Sequence, residues 1–259
     1  MKLIFLGSGS AFVVGQNYHS NMLLQNDHGK FLLIDCGTDA RFSLSEQGLS
    51  YSDIHDVYIS HLHADHAGGL EWLGFETKFD SKCNKPNLYI SKHLVGGLWD
   101  NLLKGGMNSL QMEQASLSSF FNLRVIDDNG TFHWEGQKFQ MVQTIHVVSN
   151  FLISPSYGLL FTANHLTIFI STDTQFCITR YRDVYQLADI IFHDCETKKN
   201  KSEVHAHYTE LLSLELAIRA KMWLYHCDTT TLPDAKKDGF RGFVTKGQCF
   251  DFNNPDTLE

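Results

Sequence analysis

Proline is scarce and long apolar runs are missing. The 259 residues hold only 4 Pro and no low-complexity tract, so nothing marks an interdomain linker. No stretch approaches the ~20 apolar residues that span a bilayer. The apolar opening, residues 1–6, stops at Gly7-Ser8-Gly9-Ser10, below the roughly 7 to 15 residues of a signal-peptide core. It reads as a first strand, and the expectation is a cytoplasmic protein with no membrane partner. Positive charge is also in deficit, with 21 Lys+Arg against 29 Asp+Glu and a net charge of −8. That balance disfavours a protein that grips nucleic acid by bulk charge, because neutralising phosphates takes clustered Lys and Arg. None of the six Cys forms a C-x-x-C pair, so reduced thiols are expected. Gly7-x-Gly9 lacks the third glycine and the following helix of a dinucleotide fingerprint, and reads as a tight turn.

A 43% hydrophobic, 12% aromatic composition suits a substantial core, and residues 1–259 read as one domain. Strands are expected at 3–6, 21–25, 30–35, 57–60, 87–91, 123–126, 138–143, 158–161, 166–171 and 189–192. Asn26-Asp27-His28-Gly29 is a hairpin-like turn between the second and third. Helices are expected at 39–47, 92–103 and 181–188. Leu211, Leu214, Ile218 and Met222 recur at helical steps, which predicts one more over 209–222. Strand-rich parts with late helices suggest two sheets packed face to face with helices outside.

Histidine is the unusual abundance, at 14 residues. His61-x-His63-x-Asp65-His66 puts four candidate ligands into six residues, directly after an expected strand. A turn at that point aims imidazole and carboxylate groups at two neighbouring points, a donor set suited to Zn²⁺ and also to Mn²⁺ or Fe²⁺. His146, Asp173 and His226 follow in order at the ends of later expected strands.

With these motifs the chain resembles the metallo-β-lactamase superfamily along nearly its whole length. The resemblance implies an α/β fold, an αββα sandwich of two mixed sheets with a dinuclear metal site at one edge. It implies two divalent metal ions, Zn²⁺ first. His61, His63 and His146 would hold one, Asp65, His66 and His226 the other, and Asp173 would bridge them. No Cys stands at a ligand position, unlike β-lactamases that use a thiolate.

Asp35-Cys36-Gly37, Ser171-Thr172-Asp173-Thr174, His193-Asp194-Cys195-Glu196-Thr197 and His205-Ala206-His207-Tyr208-Thr209 are similar to the phosphodiesterase branch. That branch holds ribonuclease Z, the cyclic phosphodiesterase of phosphonate breakdown and the anti-Pycsar cyclic-nucleotide phosphodiesterases. It implies a metal-activated water attacking phosphorus, Asp65 orienting it, and a general acid protonating the leaving oxygen. By the His-x-Thr pattern that acid is His207, oriented by Asp194 or Glu196; His205 reads as a bystander. The ribonuclease Z family inserts a long basic arm between the third metal His and the bridging Asp. Here the two lie 27 positions apart, with no Lys or Arg between them. The expected substrate is therefore a small, cyclic or linear nucleotide diester, with large RNA disfavoured. A tRNA 3′-processing endonuclease and a metal-dependent lactonase are the alternatives. Phe151 and Tyr157 are candidate base-stacking aromatics, with core packing the competing role. Segment 75–121 would serve either a homodimer contact or a helical cap.

Overall fold

The computed structural model describes residues 1–14, 17–150, 152–228 and 231–258. The first part of the chain supplies β1 (Lys2–Phe5), β2 (Met22–Gln25), β3 (Phe31–Ile34), β4 (Asp56–Ile59) and β5 (Asn87–Ser91). A two-residue hairpin, β6 (Ser109–Leu110) with β7 (Glu113–Gln114), precedes β8 (Asn122–Ile126). The second part supplies β9 (Thr131–Trp134), β10 (Gln137–Ser149), β11 (Leu152–Ala163), β12 (Leu166–Ile170), β13 (Ile190–Asp194), β14 (Met222–Tyr225) and β15 (Gly242–Phe243). Finally β16 (Cys249–Asp251) returns to the edge of the first sheet beside β1.

The sheets run β16-β1-β2-β3-β4-β5-β8 and β15-β14-β13-β12-β11-β10-β9. Both are mixed. In the first, β3, β4, β5 and β8 are parallel neighbours; in the second, β12 to β15 are. Strands covered on both faces read as unbroken apolar runs, and β3 (Phe-Leu-Leu-Ile) and β14 (Met-Trp-Leu-Tyr) are such runs. Along β13 and β14 the side chains alternate between two cores. Ile190, Phe192, Trp223 and Tyr225 face the first sheet, where Phe5 packs 5.4 Å from Phe192 and 5.3 Å from Tyr225. Ile191, Met222 and Leu224 face outward onto Tyr181, Tyr185, Leu211 and Ile218. The expected αββα sandwich is the observed architecture.

Three expectations are corrected. Residues 209–222 are not one helix. Tyr208–Leu211 and Leu216–Arg219 are separate turns, and Met222 opens β14. The periodic apolar residues nonetheless share one core, so the spacing reported burial rather than a continuous helix. The helix from Lys92 widens to π geometry over Leu98–Leu103. β10 and β11 are far longer than their apolar centres, because their outer halves pair only with each other. Within 75–121, Leu103, Met107, Phe120 and Phe121 are buried against the first sheet's core, which favours the helical cap.

The outer core contains one titratable pair. His193 Nδ1 donates to the Asp194 carbonyl (2.7 Å) and Nε2 lies 2.6 Å from the Tyr185 hydroxyl. A carbonyl only accepts, so the neutral ring takes the tyrosine proton at Nε2. Burial drives this histidine down to about 4, below the ~6.5 of an unfolded chain. The unfolded state thus binds the extra proton, and stability is full above pH ~6.5 and falls as pH drops towards 4. Denaturant midpoints measured from pH 7 to 4 should fall less steeply in His193→Gln than in the parent chain; equal slopes would show that His193 does not contribute.

Candidate metal centre and the residues around it

Every expected ligand follows or interrupts a strand at one edge of the sandwich. The metal loop opens after β4 and turns into a short helix, Ala64–Ala67. Asp173 and His226 follow β12 and β14. His146 sits at the irregularity of β10, where the register with β11 shifts between Ile145 and Val147; such a bulge re-aims a side chain. Asp35, Thr172 and His226 have left-handed backbones (φ 63°, 52° and 67°) immediately after three of these strands. Non-glycine residues hold that conformation at a cost, and functional sites are where it recurs. Gly37 lets the backbone close up, since a Cβ there would strike the Asp65 carbonyl oxygen.

The structure brings together His61, His63, His146 and Asp173, and beside them Asp65, His66, Asp173 and His226. Asp173 belongs to both sets. Its Oδ2 lies 3.7, 3.6 and 3.4 Å from Nε2 of His61, His146 and His226, and its Oδ1 is 3.2 Å from His66 Nε2. His63 Nδ1 is 3.1 Å from His61 Nε2 and 3.0 Å from His146 Nε2. Tetrahedral bonds of about 2.1 Å separate ligand atoms by roughly 3.4 Å, so the spacing suits cations between them.

The outward-facing nitrogens show how the rings of these candidate ligands are oriented. Ser60 Oγ donates to Asp35 (2.7 Å), so it accepts from His61 Nδ1 (3.0 Å). His146 Nδ1 donates to the Val204 carbonyl (2.9 Å), and His66 Nδ1 to Asp35 (2.8 Å). With Nδ1 protonated, the neutral rings of His61 and His146 turn a lone pair inward. His66 Nε2, His226 Nε2 and Asp173 Oδ1 are buried and lack any hydrogen-bond partner. These groups form a buried polar cluster in which divalent cations could be held. Burial holds His61, His63 and His226 below the usual imidazole range and takes His146 to about 4. Burial also opposes charge on His66, but Asp173, Asp65 and Asp35 outweigh it and raise its pKa. The residues fit divalent metal ions.

The other expected site residues are placed differently. His207 caps the Tyr208–Leu211 turn. Its Nδ1 faces Thr209 Oγ1 (2.8 Å) and its Nε2 donates to the Lys198 carbonyl (2.8 Å), so both ring nitrogens are spent on local structure. Asp194 binds the Thr174 amide (2.9 Å) and His205 Nδ1 (2.8 Å), not His207. Glu196 binds Ser202 (2.8 and 3.0 Å), so neither carboxylate orients the His207 ring. His205 lies with its ring 5.1 Å from that of His146 and 4.9 Å from that of His226. Its side chain keeps 17% exposure, open to an incoming group. Burial opposes its charge, yet Asp194 outweighs this and lifts it to about 10. Sequence reasoning set His205 aside because the His-x-Thr pattern selects His207, whereas the structure pairs Asp194 with His205. It also gave Asp35 no role, although a carboxylate ending a strand was the available signal. Tyr157 is buried between the sheets, and Phe151 lies outside the described residues.

The model of the family described as "Anti-Pycsar protein Apyc1" matches residues 1–250. The chain belongs to the anti-Pycsar Apyc1 family. A curated relative of that description from Paenibacillus harenae is 34% identical over 235 residues, covering 89% of this chain and 91% of its own. Among solved structures, the metallo-β-lactamase fold protein YhfI from Bacillus subtilis superposes with a TM-score of 0.70 at 16% identity, over 96% of this chain and 99% of its own. Zn²⁺-bound PqqB from Methylobacterium extorquens superposes at 0.73 and 14% identity, over 97% of this chain and 100% of its own. The fold of this chain is thus the metallo-β-lactamase fold. No described helix is long and apolar enough to cross a membrane, and all six cysteines are free thiols.

Asp35 touches two ligands at once, through His66 directly and His61 by way of Ser60. Removing one such partner typically costs 10- to 100-fold in metal affinity. Asp35→Asn should therefore lose Zn²⁺ to a competing chelator at roughly that factor lower chelator concentration. An unchanged competition curve would mean that Asp35 does not support the ligands.

Proposed function

We propose that this protein is a dinuclear-metal phosphodiesterase that opens small cyclic nucleotides, with His205 rather than His207 as the proton donor. The observation that carries the reading is the buried Asp173 carboxylate shared by two ligand sets, with an ion-paired, partly open histidine beside them. Membership of the Apyc1 family supports it. When bound, two divalent cations, Zn²⁺ first, supply an activated water and neutralise charge on the phosphoryl oxygens. His61, His63 and His146 would hold one, Asp65, His66 and His226 the other, and Asp173 would serve both.

The chain's own residues do the rest. Asp65, held 3.1 Å from His66 Nε2, keeps a carboxylate oxygen for orienting the attacking water. Asp194 receives His205 Nδ1–H, which stabilises the imidazolium and leaves Nε2–H for the departing sugar oxygen. Asp194 is therefore a positioning residue. The segment between His146 and Asp173 is used up by the end of β10, β11 and β12. It leaves no basic arm for tRNA, and the substrate is small. The reduced thiols fit a cytoplasmic enzyme, and a homodimer would show by light scattering as twice 29.5 kDa.

The test is a rate panel with Zn²⁺ or Mn²⁺: 2′,3′- and 3′,5′-cyclic nucleotides, a precursor tRNA with a 3′ trailer, and a lactone, with Asp65→Ala as the blank. Cyclic-nucleotide opening alone is expected; trailer removal or lactone turnover alone would replace the reading. His205→Ala should slow kcat by about 10²- to 10⁴-fold while its metal content stays that of the parent. His207→Ala should cost about 1 kcal/mol of stability, as a lost helix cap does, and far less rate. The reverse ranking of the two variants would return the acid role to His207.

A further inference from the structure

Beside the metal edge stands an aromatic ring that the core does not use. The turn after Gly9 closes with Val13 N donating to the Ser10 carbonyl (3.2 Å), and Val13 folds back over Gly9, where no Cβ obstructs it. Phe12 and Val14 are thereby left outside, 81% and 89% exposed. Phe12 is the most exposed phenylalanine among the described residues. Its turn is not loose. His226 N and Cys227 N donate to the Ser8 carbonyl (2.9 and 3.1 Å), Ser10 N donates to the Cys227 carbonyl (3.3 Å), and the Ser10 hydroxyl donates to the Asp228 carboxylate. The strand end that presents the ligand His226 thus also fixes the base of the turn that presents Phe12.

A cation is held against the ring. Lys198 Nζ lies 5.4 Å from the Phe12 centroid and 3.2 Å from Asp228 Oδ1. The Lys198 carbonyl accepts from His207 Nε2. His207 therefore ties the segment carrying Lys198 to the loop that carries His205, which gives it a structural purpose. The outcome is a flat apolar face and a positive charge placed together, on a turn whose base is tied to the strand end that carries His226.

We infer that Phe12 is the stacking platform for the nucleobase of the substrate, with Lys198 meeting the anionic side of the same molecule. This rests on the phosphodiesterase reading and adds where the base binds. An exposed aromatic gains by stacking on any base, and a ring under a lysine suits an occupant that is flat at one end and anionic at the other. The same chemistry explains why Tyr157, buried between the sheets, need not serve. Because stacking tolerates every base, purine and pyrimidine nucleotides should both be accepted.

The test separates base recognition from turnover. The Zn²⁺-loaded protein is titrated calorimetrically with a hydrolysis-resistant 3′,5′-cyclic nucleotide phosphorothioate and with the same cyclic ribose phosphorothioate lacking a base. The parent chain should bind the base-bearing ligand about 5- to 100-fold more tightly. Phe12→Ala should abolish that preference and leave the baseless ligand unaffected, and Phe12→Trp should keep it. A parent chain with no preference, or a preference that survives in Phe12→Ala, overturns the platform. Turnover of the unmodified cyclic nucleotide is measured in parallel. A Phe12-dependent preference without turnover would sink the phosphodiesterase reading and keep the platform; turnover without preference would do the opposite.

Discussion

A buried carboxylate with five imidazoles around it governs this structure. Asp173 has nowhere to send its charge except into the cluster, and burial of an uncompensated carboxylate costs several kcal/mol. The outward hydrogen bonds of His61 and His146 commit their inward nitrogens to lone pairs, so these two rings bring no positive charge to the carboxylate. A cation is what makes the arrangement affordable, and its binding energy then becomes folding energy. The sandwich serves this need. Its two sheets bring the ends of β4, β12 and β14 and the bulge of β10 to one edge, as open α/β sheets bring ligands to the carboxyl ends of their strands.

In the proposed mechanism the proton transfer rests on a second buried carboxylate. Asp194 ends β13 and reaches His205 across the loop 195–206. Asp35 does the corresponding work for the ligands, where three donors converge on one carboxyl group. Each pairs a carboxylate at a strand end with an imidazole from another segment, which fixes the tautomer of the ring it holds.

How much of this was legible in the sequence depended on how local the signal was. That the seven candidate ligands come together was legible because they follow or lie in apolar runs in a recognisable order. The two-sheet sandwich was legible because β3, β13 and β14 read as runs buried on both faces. The pairing of His205 with Asp194 was not, because which of two histidines meets Asp194 is decided by a loop whose backbone pairs Glu196 with His207. The turns at Tyr208–Leu211 and Leu216–Arg219 were not, because residues at helical spacing can share a core without sharing a helix. The full lengths of β10 and β11 were hidden for the same kind of reason: exposed strand residues such as Val148 and Leu152 carry no burial pattern.

Metal stoichiometry tests the central claim most directly. Elemental analysis of the purified chain, equilibrated with Zn²⁺ and desalted, is predicted to find two ions per chain, and Asp173→Ala is predicted to keep at most one. One ion per chain in the parent protein, or two retained without the Asp173 carboxylate, would contradict a site built around that shared residue.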